Sequence, residues 1–502
     1  MKIRNSSFLL RWVSLLFLLT AVILTASQLV GYSRLRSNYP PGMTIGGVPV
    51  GGLDPNTAAQ RLLQVYATPV EIRYGEAVIH LDPALVGFQA DIEAMLAAAD
   101  LQRTGSSFWG GFWDYLWNQS PPGNEIPLIA TYSEERLRQY LLNEISARYD
   151  QPPVPAQPIA NSPEFTAGSP GTMLDLDRAV VLIENALYSP TGRTVILSSQ
   201  TIPAGRPSLQ TLQLQLQQIV DQNGFDGLID IYLLDLQTGE ELHFAYQAGV
   251  NLPVNPDIAF TASSTIKIPV MVSVYRHSNG RLTPQQAALM SEMIQQSNND
   301  ATDALIMGID EVRGPLIVSE DMRALGLENT FLAGYFYPGA YLLYFATTPA
   351  NQRTDVDTDP DPYNQTTPSD MGMLLADLYQ CAEMGGGIAA VFPGQIDQTA
   401  CREMISYLQQ DRIGVLIQAG VPEGTIVAHK HGWVTDAATG VMHNASDAAI
   451  VYTPGGNYVL SIYTYHPIQI IWERDNASRT GVSRMFADIS RAVYNYFNLT
   501  VR

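Results

Sequence analysis

The run Phe260-Thr-Ala-Ser-Ser-Thr-Ile-Lys-Ile-Pro-Val-Met-Val-Ser-Val-Tyr275 places a serine, Ser264, three residues ahead of a lysine, Lys267. In a helix that begins near Ser264, this spacing sets Lys267 one turn on along the same face, with its amine within reach of the hydroxyl. A serine hydroxyl is a poor nucleophile until a neighbour takes its proton, and a lysine can do so when burial and nearby positive charge hold down its pKa. The apolar residues Ile266, Ile268, Val270, Met271, Val272 and Val274 supply that burial, and Pro269 stands early enough in the helix to be tolerated. Ser-x-x-Lys also arises by chance in many chains, so the reading depends on companions.

Two companions follow in order. Ser297-Asn298-Asn299 comes after a helix-patterned stretch, Thr283 to Gln296, and Lys430-His431-Gly432 lies among strand-like segments. Together the three motifs resemble the signature of the class A β-lactamase and penicillin-binding protein superfamily, over about residues 209–502. The resemblance implies an α+β fold of three layers, an antiparallel sheet flanked by helices, with an all-helical subdomain. The patterning agrees: Leu209 to Val220 reads as a helix, Leu228 to Leu236 and Glu241 to Tyr246 as a hairpin, Ala448 to Tyr452 and Tyr458 to Tyr465 as strands, and Gly481 to Phe497 as a closing helix.

The resemblance also assigns roles. Ser264 is the nucleophile, Lys267 its base, and Ser297 a proton relay to the departing nitrogen. Asn299, Lys430, His431 and Gly432 line the substrate, and the backbone N–H groups of Ser264 and Trp433 form the oxyanion hole. Two positions depart from the pattern: Asn298 stands where Asp is usual, and His431 replaces a hydroxyl residue that would help hold a substrate carboxylate. A third departure concerns deacylation. Thr366-Thr367-Pro368 is present, yet no glutamate lies between Glu328 and Glu383 to activate the hydrolytic water. The intervening loop carries Asp355, Asp357, Asp359 and Asp361, which read as a solvated acidic run. Three functions stay open: a β-lactamase-like hydrolase, a D,D-peptidase-like enzyme acting on wall peptides, and a slowly turning-over wall-binding or sensing protein.

The 502 residues, 46% hydrophobic and 15% charged, suffice for several domains, and a net charge of −20 argues against a nucleic-acid partner. Residues 1–11 read as a cytoplasmic N-terminus and 12–31 as a transmembrane anchor. Trp12 to Val30 is uncharged and long enough to cross a bilayer, with Lys2, Arg4 and Arg11 ahead of it, so residues 32–502 are expected outside the cell membrane. Cleavage near Thr25-Ala26-Ser27 is the competing reading.

Residues 32–125 and 126–206 read as two small α+β modules resembling wall-associated, peptidoglycan-binding repeats, or as a stalk with no ligand. Asp54-Pro55 starts a helix, Val70 to Tyr74 and Ala77 to Leu81 form a hairpin, and Gly87 to Asp91 is echoed by Gly171 to Asp175 as turn, cap and helix. The aromatic run Phe108 to Trp117 is expected to bury against protein in preference to docking on lipid or sugar. Residues 207–502 form the catalytic domain. Cys381 and Cys401 are free to pair in an oxidising compartment or to stay apart. His429 and His431 lack companion ligands, so no metal or cofactor is expected.

Overall fold

The computed structural model describes residues 6–105, 107–119, 124–412, 416–436, 438–472 and 481–499. The chain divides into two compact units, one comprising residues 1–153 and 170–202, the other 154–169 and 203–502.

The first unit opens with a helix over Ser6–Arg36 whose stretch Leu10–Arg36 is long and apolar enough to cross a membrane. Lys2 and Arg4, which bear on its orientation, lie outside the described residues. Asp54 caps the next helix, Pro55–Ala67, by accepting from the N–H groups of Asn56 and Thr57. Val70–Tyr74 and Ala77–Leu81 pair antiparallel as expected. The repeated turn-and-cap pattern also forms locally: Asp91 accepts from Ala94 N ahead of helix Ile92–Thr104, and Asp175 from Arg178 N ahead of Leu176–Leu187.

The expected boundary between residues 125 and 126 does not separate two cores. Strand Thr194–Ile196 pairs parallel with Val70–Tyr74, and one hydrophobic core runs from Tyr39 through Leu62, Ile72, Met95, Leu137 and Ile183 to Leu197. Amphipathic elements this short bury too little apolar surface by themselves, so the two halves share one interior.

The second unit is built on a six-stranded antiparallel sheet. We number its strands β1 (Leu228–Asp235), β2 (Glu241–Gln247), β3 (Val250–Leu252), β4 (Ile426–Thr435), β5 (Met442–Tyr452) and β6 (Tyr458–Tyr465). Their order is β3-β2-β1-β6-β5-β4, which puts β6, from the C-terminal end of the domain, beside β1 of its opening hairpin and leaves β4 as an edge. Alternate residues of β1 serve opposite faces: Ile229, Ile231 and Leu233 meet the packed pair of helices Leu209–Gln222 and Val482–Phe497. On the other face a helical half covers the sheet, with helix Lys267–His277 at its centre. Every residue of that helix from Lys267 to Tyr275 is buried. This is the three-layer α+β architecture read from the sequence.

Cys381 and Cys401 form a disulfide between the helices Pro368–Met384 and Gln398–Leu408. The aromatic run departs from expectation. Phe108–Leu116 is helical and buries Phe112, but Trp109, Trp113 and Trp117 are exposed.

Candidate active site

The turn that carries Ser264 is held at the junction of sheet and helical half. A short 3₁₀ turn, Ser263–Ile266, precedes helix Lys267–His277, so the helix proper starts three residues later than the spacing suggests. Thr265 pins this turn: its Oγ1 donates to Ala262 O at 2.6 Å and lies 2.7 Å from the Tyr463 hydroxyl on β6. Ser263, just before Ser264, adopts φ 51°, a left-handed conformation that costs a β-carbon residue about 1–3 kcal/mol. Such a cost is borne where the surrounding packing over-determines the backbone.

Within this frame Lys267 Nζ lies 2.8 Å from Ser264 Oγ and 2.8 Å from Asn299 Oδ1. Ser297 Oγ donates to Ser264 Oγ at 2.8 Å, from a residue also held at positive φ, 55°. Asn298 points elsewhere. It is the N-cap of helix Asn299–Ile309, accepting from Ala301 N, which is why Asn serves as well as Asp at this position.

Lys267 is fully buried. Burial first, and the positive charge of Lys430 second, lower its pKa from the ordinary 10.5 to about 7, against the pull of Asp303. An amine of this strength is half neutral near pH 7 and can accept the proton of Ser264 through the same 2.8 Å contact. The Phe336 ring, 5.1 Å from Nζ, closes the lysine off from water.

Lys430, His431, Gly432 and Trp433 all lie on edge strand β4. Gly432 packs directly on the Ser264 turn: a β-carbon there would come within 2.9 Å of Ser446 Oγ, 3.0 Å of Ser264 N and 3.1 Å of Ala262 O. The backbone at Gly432 therefore runs beside the Ser264 N–H.

Lys430 is fully buried and its Nζ lies 3.4 Å from Asp411 Oδ2. The same carboxylate takes His431 Nδ1 at 2.8 Å. Burial opposes the charge of Asp411, but the His431 hydrogen bond and the Lys430 and His429 charges outweigh it and hold the carboxyl down at about 2. Burial lowers the pKa of His431. Its ring stacks on Trp433 with centroids 4.5 Å apart. His429 turns instead to Asp447, at 3.0 Å.

Three residues escaped the sequence reading. Asp411 sits in the polar stretch Gln409 to Arg412, which carries no periodic signal. Asp303 did have one, because it follows Asn299 by four residues and so shares its helix face. It is buried, accepts from Phe336 N at 2.9 Å, and thereby fixes the segment whose ring covers Lys267. The third is Phe336 itself.

The acidic loop is more ordered than its composition implies. Asp355 pairs with Arg353 at 2.6 Å, and Arg353 in turn donates to the carbonyls of Pro253 and Pro256. Asp355, Asp357 and Asp359 are exposed, as expected for a solvated run, but Asp361 is half-buried and accepts from Tyr363 N and Asn364 Nδ2. Burial raises its pKa.

A six-stranded antiparallel sheet between helical layers, with serine, lysine and a second serine linked by 2.8 Å contacts at its edge, defines a serine-hydrolase fold of the β-lactamase type. Residues 281–497 match the Beta-lactamase2 model, described as a beta-lactamase enzyme family. The match begins downstream of Ser264 and Lys267.

Similar solved structures include PBP-A as a mutant acyl-enzyme complex with penicillin G, 21% identical, covering 59% of this chain and 98% of that one, with a TM-score of 0.40. A β-lactamase of Desulfarculus baarsii is 20% identical, covering 58% and 98%, TM-score 0.40. A representative class A β-lactamase of Bacteroides cellulosilyticus is 18% identical, covering 58% and 98%, TM-score 0.40. No curated protein matches the chain.

Proposed function

We propose that this protein is a membrane-anchored, extracytoplasmic serine hydrolase that opens β-lactam amides through an acyl-enzyme on Ser264. The observation that carries the reading is the buried Lys267 amine, brought to about 7 and set 2.8 Å from Ser264 Oγ. In the acylation step neutral Lys267 takes the serine proton as Oγ attacks the amide carbonyl. The oxyanion forms beside the N–H groups of Ser264 and Trp433, and Ser297 passes a proton to the departing nitrogen. Asn299 orients Lys267 through its Oδ1 and contacts the substrate amide. Gly432 leaves the substrate room along β4.

A second reading, a D,D-peptidase-like enzyme acting on wall peptides, is favoured by the missing glutamate. A third reading, a wall-binding or sensing protein, shares the acylation step and lacks efficient turnover. Peptidoglycan would then be met through the N-terminal unit, and the membrane through residues 12–31.

Mass spectrometry of the purified protein, incubated with benzylpenicillin and sampled over time, separates these readings. A Ser264 adduct that forms and quickly disappears supports lactam hydrolysis. A persistent adduct supports the other two, which cleavage of wall peptides then divides. Absence of any adduct sinks the assignment of Ser264 as nucleophile.

A further inference from the structure

The helix Phe108–Leu116 carries more aromatic surface than its packing uses. One side is occupied: Phe108, Phe112 and Tyr115 surround Tyr32 of the N-terminal helix, with ring centroids 5.4, 5.6 and 5.5 Å away. Gly31 allows the approach, since a β-carbon there would meet the Tyr115 hydroxyl at 3.2 Å. The adjoining side is open. Trp109, Trp113 and the C-capping Trp117 follow at four-residue steps, so they form one stripe, and they are 63%, 58% and 72% exposed.

The position of this stripe identifies what it meets. At 1.5 Å per residue the uncharged run Trp12 to Val30 is about 28 Å long, close to the ~30 Å of a hydrocarbon core. Tyr32 therefore stands about one half-turn beyond the end of that run, at headgroup level, and the tryptophan helix is clamped to it there. Trp is the side chain that favours this zone, with an apolar ring and an N–H that stays near water. Positive charge flanks the stripe: Arg34 is exposed and suits a lipid phosphate, and the Arg36 guanidinium lies 5.2 Å from the Phe108 ring centroid.

We propose that Trp109, Trp113 and Trp117 insert into the outer interface of the same bilayer that residues 12–31 cross, so that the first unit is fixed to the membrane by an interfacial helix as well as a span. This rests on the anchor reading of residues 12–31. The exposed stripe then has an apolar environment in the membrane-bound protein, and the helix fixes the depth at which the span sits.

The test uses the full chain in vesicles of phosphatidylcholine and phosphatidylglycerol, with lipids brominated either near the headgroup or near the chain end as fluorescence quenchers. Two single-tryptophan proteins are compared, one retaining Trp12 and the other Trp113, with the remaining tryptophans changed to Phe. The proposal expects Trp113 emission to be blue-shifted and quenched more by the headgroup-proximal bromines. If Trp12 is quenched by lipid and Trp113 is not, the anchor reading stands and this inference fails. If neither is quenched, both fail. A change in Trp113 emission on adding soluble wall glycan, without quenching by lipid, also overturns it and makes the stripe a sugar platform. Should the multiple substitutions disturb folding, the otherwise unaltered chain carrying Trp109→Phe, Trp113→Phe and Trp117→Phe must lose most of the headgroup-proximal quenching shown by the parent. Unchanged quenching refutes the proposal.

Discussion

Removing the charge of Lys430 tests the central electrostatic argument. Lys267 acts as a base only when neutral, so acylation of Ser264 rises with pH and levels off above the lysine's pKa of about 7. The drop from 10.5 to about 7 corresponds to roughly 5 kcal/mol of preference for the neutral amine at about 1.4 kcal/mol per pH unit. Burial is the larger cause and Lys430 the second. A like charge close enough to be the second cause of the shift moves a neighbour by about 1–3 pH units, so Lys430→Met moves the midpoint of the acylation profile up to about 8–10. At pH 7 the neutral fraction then falls from about one half to between roughly a tenth and a thousandth, while the rate near pH 10 is largely restored.

Because Lys430→Met alone takes the lysine's charge away from the buried Asp411 carboxylate, the double variant Lys430→Met/Asp411→Asn is measured beside it. The assay is the rate of Ser264 adduct formation with benzylpenicillin, followed by rapid quench from pH 5 to pH 10. A midpoint that stays near 7 in both variants refutes the reasoning, because burial alone would then set the lysine.

Lys267→Ala abolishes adduct formation while circular dichroism remains that of the parent; normal labelling by this variant would remove Lys267 as the base. Gly432→Ala forces a β-carbon against Ser264 N and Ala262 O, costs about 1–3 kcal/mol in overpacking and slows acylation, as thermal melting and adduct kinetics would show. With no glutamate in the loop, deacylation is slowed by roughly a hundredfold to ten-thousandfold, so penicillin turnover begins with a burst of one equivalent. Should turnover be fast and burst-free, Asp361→Asn is the first substitution to make, since Asp361 alone of the four loop aspartates is half-buried with a raised pKa. A burst restored by that change identifies it as the base. Replacing both Cys381 and Cys401 by Ala frees a loop with a sequence separation of 20 and lowers unfolding stability by about 3 kcal/mol, readable by urea denaturation.

Local chemistry in the sequence determined a good deal. The four-residue patterning, the Asp54, Asp91 and Asp175 caps and the alternation of β1 and β2 place most helices and strands, because each depends on residues within one turn or one strand. The order of Ser264-x-x-Lys267, Ser297-x-Asn299 and Lys430-x-Gly432 also named the residues that the fold gathers. What those side chains do to one another was decided elsewhere. Asp411 reaches Lys430 and His431 from a loop with no distinguishing composition, and the pairing of Asn299 with Lys267 depends on how two helices cross. The shared interior of the N-terminal unit and the exposure of the tryptophan stripe are likewise invisible in the chain. Burial, ion pairing and the pKa of Lys267 are set by residues far apart in sequence, and only the tertiary structure brings their charges and surfaces within the few ångströms over which these forces act.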